Sequence, residues 1–210
     1  MNLIRRRGNV PTLTFAFLVG SFLTSLIATQ LSAMPQRRAV STRNRSQIAR
    51  IVREIDARNI ERSVRKLASF GTRNTLSEQN DPKRGIGAAR DWLFEEFSKA
   101  AADSGGRMTV VKQSFEQPKA ERIPQPTIIT NVVATLRGTQ PQSEGRTYIV
   151  SGHYDSMCGS ATDAKCDAPG ANDDASGTAA VLEMAPANVL HGAVRLHGLT
   201  SSPTPDTQVR

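Results

Sequence analysis

The sequence is short of aromatic residues, of cysteines and, towards its end, of carboxylates. Aromatic residues make up 5% of the 210 residues, so aliphatic side chains and alanine must fill the core. Cysteine occurs only twice, at Cys158 and Cys166. After Glu183 only Asp206 carries an acidic side chain, which excludes this last segment as the source of a carboxylate-rich site. The length suits one domain with an additional targeting segment.

Positive charge is concentrated in the first part of the chain. Residues 1–75 contain 14 lysines and arginines but 3 acids, whereas residues 76–210 contain 13 and 16. A basic half can indicate nucleic-acid binding. However, no aromatic residues that could stack on bases are interleaved with the arginines of residues 37–66. Many of these arginines fall on the polar faces of predicted helices, so we expect no nucleic-acid partner.

Residues 1–33 are typical of an export signal. Three arginines at positions 5–7 precede a mostly apolar run over residues 13–31, and small residues near Ala33 suit cleavage. The run is also long enough for an uncleaved membrane anchor. In either case we expect an exported protein, periplasmic or extracellular, that contacts a membrane only through this segment. The polar, basic residues 34–45 are predicted to be a linker.

Three helices are predicted after the linker. Apolar residues recur at helical spacing between Ile48 and Ile55 and again between Ile60 and Ala68, with Asn59 as the N-cap of the second helix. Both helices are expected to lie on the outside of the domain with one face buried. The third helix is predicted from about Gly85 to Ala101.

Three strands are predicted next. They cover residues 108–115, 128–136 and 147–152. The third contains the continuous apolar run Tyr148-Ile149-Val150, which is expected of a strand buried on both faces of a sheet.

An apolar helix over residues 176–185 follows, and Pro186 is expected to end it. This order of elements predicts an α/β fold with a mixed, mostly parallel sheet flanked by helices. Ligands of such sheets bind beyond the carboxyl ends of the strands, which is where His153 lies.

Two short segments carry residues suited to metal chemistry. Residues two apart in an extended segment face the same side, so Asp155 could accept a proton from the nitrogen of His153 that faces away from a metal. Two adjacent acids such as Asp173 and Asp174 disfavour each other's ionisation unless a cation lies beside them. A divalent metal ion would be such a cation. The alternatives are a solvated histidine at a strand end and a solvated loop in which Asp174 or Ser176 caps the next helix. Capping and metal binding are compatible.

Cys158 and Cys166 lie between the two segments. An even number of cysteines in an exported protein favours a disulfide, which would contribute about 2–3 kcal/mol by closing a short loop. It would also stiffen the connection between His153 and Asp173. A Cys-x7-Cys metal pair is the alternative, although that spacing matches no common zinc module.

The motif Ser-Gly-His-Tyr-Asp-Ser at 151–156 and the segment over residues 168–183 resemble metallopeptidase family 28. This family comprises secreted leucyl-type zinc aminopeptidases and enzymes similar to glutamate carboxypeptidase II. The resemblance covers roughly residues 46–185, which it identifies as the amino-terminal part of a zinc peptidase domain with an exopeptidase-like fold. It implies hydrolysis of amino-terminal peptide bonds, a peptide substrate and a centre of two zinc ions. A glutaminyl cyclase, which shares this fold, fits the run over residues 172–177 less well.

The resemblance also implies a role for individual residues. His153 would ligate one zinc, and Asp155 would orient its ring without contacting the metal. Asp173 would bridge both zincs, and the peptide bond between Asp173 and Asp174 would be cis. Arg73 and its neighbour Asn74 would lie on a loop near the cleft.

The remaining site residues of the family have no counterpart in the sequence. The family carries a Glu-Glu pair, one Glu of which is the general base, a further Asp and a distal His, but nothing after Ala185 resembles these segments. His191 and His197 lie there without a supporting pattern. We therefore expect a domain that is incomplete at its carboxyl end, followed over residues 186–210 by an aberrant, disordered tail from a truncation or frameshift. Two functions stay open: a zinc aminopeptidase chain without its catalytic Glu pair, and a non-catalytic exported fragment with at most weak metal binding.

Overall fold

The computed structural model describes residues 42–143 and 145–191. The elements in this part of the chain are α1 (Thr42–Glu54), α2 (Ala57–Ala68), α3 (Gly85–Ala102), β1 (Met108–Gln117), β2 (Thr127–Leu136) and α4 (Ser176–His191). The predicted export signal and residues 192–210 of the predicted tail, His197 among them, lie outside the described residues. None of the helices in the described part is long and apolar enough to span a membrane.

The first helix has the predicted period but not the predicted burial. α1 spans Thr42–Glu54, and its Ile48 and Val52 are exposed. The expectation of a buried face that includes these two residues is therefore wrong. An amphipathic pattern shows which face of a helix could be buried, but another element must be present to cover that face.

The N-cap of α2 also differs from the prediction. The carboxylate of Asp56 accepts a hydrogen bond from the amide of Arg58 at 2.8 Å, so Asp56 is the N-cap and the helix begins earlier than expected. Asn59 instead donates from Nδ2 to Oε1 of the buried Glu183 at 3.1 Å. The same carboxylate oxygen accepts the amide of Asp56 at 2.9 Å, which joins α2 to α4.

The core is formed between the helices and one face of the sheet. α3 packs on both strands and on α4, and it buries the predicted apolar stripe. This stripe consists of Ile86, Ala89, Leu93 and Phe97. From the sheet, Val132, Ala134 and Leu136 join the same core because residues two apart along β2 face the same side, whereas Ile128, expected on this face, is exposed.

The α/β class is confirmed, but the sheet is simpler than expected. β1 and β2 form an antiparallel pair whose register runs from Met108 opposite Leu136 to Gln117 opposite Thr127. Residues 147–152 are extended but pair with no strand among the described residues, and Tyr148 and Ile149 are each 57% exposed. A parallel ladder requires a neighbouring strand reached through a crossover, and the described residues contain none beside this segment.

The last helix continues past the expected end. α4 contains Pro186 and runs to His191, so the prediction that Pro186 ends it is wrong. A proline inside a helix removes one backbone hydrogen bond and costs about 3 kcal/mol. Ala185 and Ala187 on either side are buried, whereas Pro186 itself is exposed.

Candidate metal centre

The candidate site lies where two segments meet at the start of α4. We call residues 151–156 the histidine arm and residues 168–175 the aspartate arm. At Gly152 a Cβ atom would lie 2.6 Å from the backbone nitrogen of Thr178, so only glycine lets the histidine arm approach α4 this closely. The hydroxyl of Thr178 donates to the carbonyl of His153 at 2.9 Å, which fixes the arm against the helix.

The structure brings together the side chains that the sequence singled out. Nε2 of His153 lies 3.0 Å from Oδ1 of Asp173. Nδ1 of His153 lies 3.0 Å from Oδ1 of Asp155, whose Oδ2 accepts the hydroxyl of Thr75 at 3.0 Å. With its proton on Nδ1, the neutral ring donates to Asp155 and presents a lone pair from Nε2 to Asp173.

This arrangement fits a bound cation. A lone pair on Nε2 and an ionised carboxylate oxygen 3.0 Å away are both acceptors, and they repel unless a proton or a cation lies between them. Two ligands of a tetrahedral zinc ion at about 2.0–2.1 Å lie roughly 3.3 Å apart, which is close to the observed spacing. The side chain of Asp173 is 87% exposed, so its second oxygen is open to a further ligand.

The neighbouring acid has a different task. The peptide bond between Asp173 and Asp174 is cis, as the resemblance implied. Oδ1 of Asp174 accepts the amide of Gly177 at 2.9 Å and caps α4, so of the two predicted caps Asp174 is the one used. Oδ2 of Asp174 accepts the amide of His153 at 3.2 Å, which links the aspartate arm to the histidine arm.

A polar loop over residues 71–75, here called the bracing loop, lies beneath both arms. Its carbonyl at Gly71 accepts the amide of Ala168 at 2.8 Å. Its Arg73 is 0% exposed although the sequence placed it only near the cleft. Burial lowers the pKa of Arg73 to about 10, opposed by the negative charges of Asp155 and Asp174. The guanidinium therefore stays charged at neutral pH.

Sequence reasoning missed how much of this loop is buried. Arginine and asparagine are rarely fully buried unless they are paired, and most partners of Arg73, like Ala161 for Asn74, lie about 80–100 residues away along the chain. By composition the run Gly71-Thr72-Arg73-Asn74-Thr75 is an ordinary polar loop, and the family resemblance placed Arg73 and Asn74 only near the cleft.

The two cysteines form the predicted disulfide between Cys158 and Cys166. Together with Asp163 they are the only group of three close metal-type side chains among the described residues. Sulfur atoms joined in a disulfide are not thiolate ligands, so the alternative of a cysteine metal pair is not supported. His153 and Asp173 thus offer two donors, fewer than the three or four of a stable zinc site. His191 lies at the end of α4.

A cavity of about 700 Å³ opens directly beside His153 and Asp173. The connection between β1 and β2 forms its opposite wall through residues 120–123, and Met157 adds an apolar surface. The cavity is large enough to hold one or two amino-acid residues of a ligand.

Several known proteins are similar in sequence to this chain. Residues 131–193 match the model of peptidase family M28. A probable zinc metalloprotease of Leptosphaeria maculans is 55% identical over 66% of this chain and 32% of the relative. A probable zinc metalloprotease of Pyricularia oryzae is 53% identical over 63% of this chain and 26% of the relative. Leucine aminopeptidase 1 of Fusarium vanettenii is 26% identical over 76% of this chain and 36% of the relative.

The chain spans about a third of the length of the curated relatives it matches. Among solved structures, a glutaminyl cyclase of Porphyromonas gingivalis aligns with a TM-score of 0.49 and 19% identity, over 71% of this chain and 49% of that one.

Proposed function

We propose that this chain, whose residues 131–193 match the model of peptidase family M28, contributes half of the metal centre of an exported zinc aminopeptidase. Such an enzyme hydrolyses the amino-terminal peptide bonds of peptides. The chain as written would bind zinc weakly and turn over no substrate, because the catalytic Glu pair has no counterpart in its sequence.

The observation that carries this proposal is the 3.0 Å separation of Nε2 of His153 from Oδ1 of Asp173. Asp155 holds the opposite ring nitrogen and makes Nε2 the more basic ligand. Asp173 presents an exposed carboxylate, and Asp174 keeps the aspartate arm in place through the amides of His153 and Gly177. When bound, zinc supplies Lewis-acid chemistry for amide hydrolysis.

The missing base decides the level of activity. A positioned general base typically contributes 10²–10⁴-fold to a hydrolytic rate. With two protein donors the centre would also hold its metal weakly, since stable zinc sites use three or four. The alternative function, a non-catalytic exported fragment, is favoured by this shortage of donors among the described residues. The two functions differ in whether His153 and Asp173 form a defined zinc site, since the non-catalytic fragment would bind metal weakly at most.

Zinc titration of the full chain tests the centre. We expect one zinc site whose affinity falls at least tenfold in His153→Ala and in Asp173→Asn, because each substitution removes one of two donors. His191→Ala is the matched control and should leave the affinity unchanged. Zinc binding that is insensitive to both substitutions would show that these residues do not form the centre.

Hydrolysis of leucyl-4-nitroanilide in the presence of zinc tests the activity. We expect no turnover above the rate of zinc in buffer. Two tightly bound zinc ions together with turnover would mean that the chain contains a base that its sequence pattern does not reveal.

Amino-terminal sequencing of exported protein tests the predicted cleavage near Ala33; a start at residue 1 would instead indicate the uncleaved anchor.

A further inference from the structure

We propose that Arg73 is a positioning residue whose guanidinium holds the histidine arm and the aspartate arm at the separation that the pair His153–Asp173 requires. The proposal rests on the proposed function, because it concerns the geometry of that metal centre.

The side chain of Arg73 connects the two arms directly. Nε donates to the carbonyl of Tyr154 at 2.6 Å, one residue after His153. Nη1 donates to the carbonyl of Pro169 at 2.7 Å, and Nη2 donates to that of Gly170 at 3.0 Å, three residues before Asp173. One planar group thus fixes the backbone of both arms close to their metal-type side chains.

A third segment anchors the same group. Nη1 of Arg73 also donates to the carbonyl of Leu67 at 3.0 Å, within the last turn of α2. Leu67 is itself part of the core. The two arms are therefore held not only to each other but also to a helix that is packed into the domain.

The backbone of Arg73 repeats the connection. Its amide donates to Oγ of Ser156 at 3.0 Å, and the amide of Ser156 donates to the carbonyl of Arg73 at 3.0 Å. Oγ of Ser156 in turn donates to the carbonyl of Ala168 at 2.6 Å, at the start of the aspartate arm. The bracing loop therefore contacts both ends of the site.

The chemistry of the group explains why arginine is needed. Four carbonyl oxygens lie in different directions around one plane, which matches the rigid fork of a guanidinium and not the single ammonium of lysine. These acceptors are neutral carbonyls, so taking the charge out of water is costly, and four hydrogen bonds to separate segments offset that cost. The charged fork of Arg73 therefore fixes the positions of the histidine arm and the aspartate arm.

The first test uses nuclear magnetic resonance on the metal-free full chain with labelled histidine. In the unmodified chain we expect the ring of His153 to hold one tautomer, with its proton on Nδ1. In Arg73→Lys we expect the ring signals to average between tautomers and the zinc affinity to fall at least tenfold. Arg65→Lys, on the exposed side of α2, is the matched control and should change neither readout.

Chemical rescue separates positioning from general stability. In Arg73→Ala, added methylguanidinium should restore both the single tautomer and the zinc affinity, while methylammonium at the same concentration should not. If folded Arg73→Lys keeps the tautomer and the affinity of the unmodified chain, the proposal is overturned. Failure of the unmodified chain to bind zinc overturns the proposed function instead, whereas the metal-free tautomer still decides the role of Arg73.

A measurement on the unmodified chain covers the case in which neither variant folds. The Nε–H signal of Arg73 should exchange with solvent at least 100-fold more slowly than that of the exposed Arg65, and it should shift as zinc saturates the chain. Exchange as fast as that of Arg65 would overturn the proposal, and so would an Arg73 signal that stays unchanged while zinc shifts the ring signals of His153.

Discussion

The bracing loop and the extended segment over residues 147–150 have opposite relations between polarity and burial. In the loop, Thr72, Arg73 and Asn74 are buried although each is polar. In the extended segment, Tyr148 and Ile149 are each 57% exposed although both are apolar. Both segments adjoin the same site. The bracing loop packs beneath it, and the extended segment directly precedes the histidine arm in the chain. Burial here follows the presence of partners and not hydropathy.

Partners explain both cases. The bracing loop finds carbonyl acceptors on three separate segments, so its polar groups lose water without losing hydrogen bonds. The extended segment has no neighbouring strand in the described part of the chain, so Tyr148 and Ile149 stay exposed, whereas Val150 packs partly against the core. Four substitutions test this difference, and they are given from the largest expected effect to the smallest.

Arg73→Met should have the largest effect. It leaves the carbonyls of Leu67, Tyr154, Pro169 and Gly170 without a donor, and each such group costs about 1–3 kcal/mol when buried. We expect the free energy of unfolding to fall by about 3–5 kcal/mol in urea denaturation. Arg65→Met removes an exposed ion pair and should cost less than about 1 kcal/mol. Equal losses in the two variants would contradict the bracing role.

Gly152→Ala should come next, because the new Cβ would lie 2.6 Å from the backbone of α4. Overpacking of this kind costs about 1–3 kcal/mol, and the histidine arm must shift to relieve it. Thermal unfolding gives the loss, and the ring signals of His153 report the shift. Gly159→Ala is the control, since nothing lies within 4 Å of its Cβ position. A loss no larger than in that control would mean that the arm and α4 are further apart in solution.

Tyr154→Phe, in the histidine arm that Arg73 contacts, tests the comparison with a single hydroxyl. The hydroxyl of the buried Tyr154 donates to the carbonyl of Thr130 in β2, and burial raises the pKa of this phenol above its usual value. Its removal should cost about 1–2 kcal/mol, because the carbonyl of Thr130 loses its donor. The matched change in the extended segment, Tyr148→Phe, should leave the unfolding free energy unchanged within about 0.5 kcal/mol. A similar loss of unfolding free energy in both variants would mean that the hydroxyl of Tyr148 is as important for stability as that of the buried Tyr154.

Ile149→Ser should have the smallest effect. An exposed isoleucine loses little on this change, so we expect less than about 0.5 kcal/mol in urea denaturation. Ile129→Ser, in β2, removes a buried side chain and should cost at least about 2 kcal/mol. If Ile149→Ser costs as much as Ile129→Ser, the extended segment is covered in solution by a second surface.

Short-range patterns predicted much of the fold. The periods of apolar residues located α3, β1 and β2 to within one or two residues, because side-chain spacing along a helix or strand is a local property. They also located the start of α4, but not its end, since the cost of Pro186 depends on what the neighbouring turn buries. The exposed face of α1 was missed for the same reason.

For the site, too, the sequence predicted some features and not others. The residue types and their positions relative to the ends of predicted elements were enough to single out His153, Asp155, Asp173 and Asp174. Their convergence and the cis peptide bond agree with the resemblance on which those expectations depended. Nothing local indicated that Arg73 donates to both arms, or that Glu183 ties α4 to the start of α2.

The amino-acid sequence alone determined which chemical groups are present, where α3, β1, β2 and α4 begin, and which two arms could meet around a cation. The tertiary structure alone decided which of these groups lose contact with water and which acceptors each buried donor finds. The reason is physical: helix and strand periods arise between residues a few positions apart, whereas the partners of Arg73 lie up to 97 residues away and are set only when the whole domain has packed.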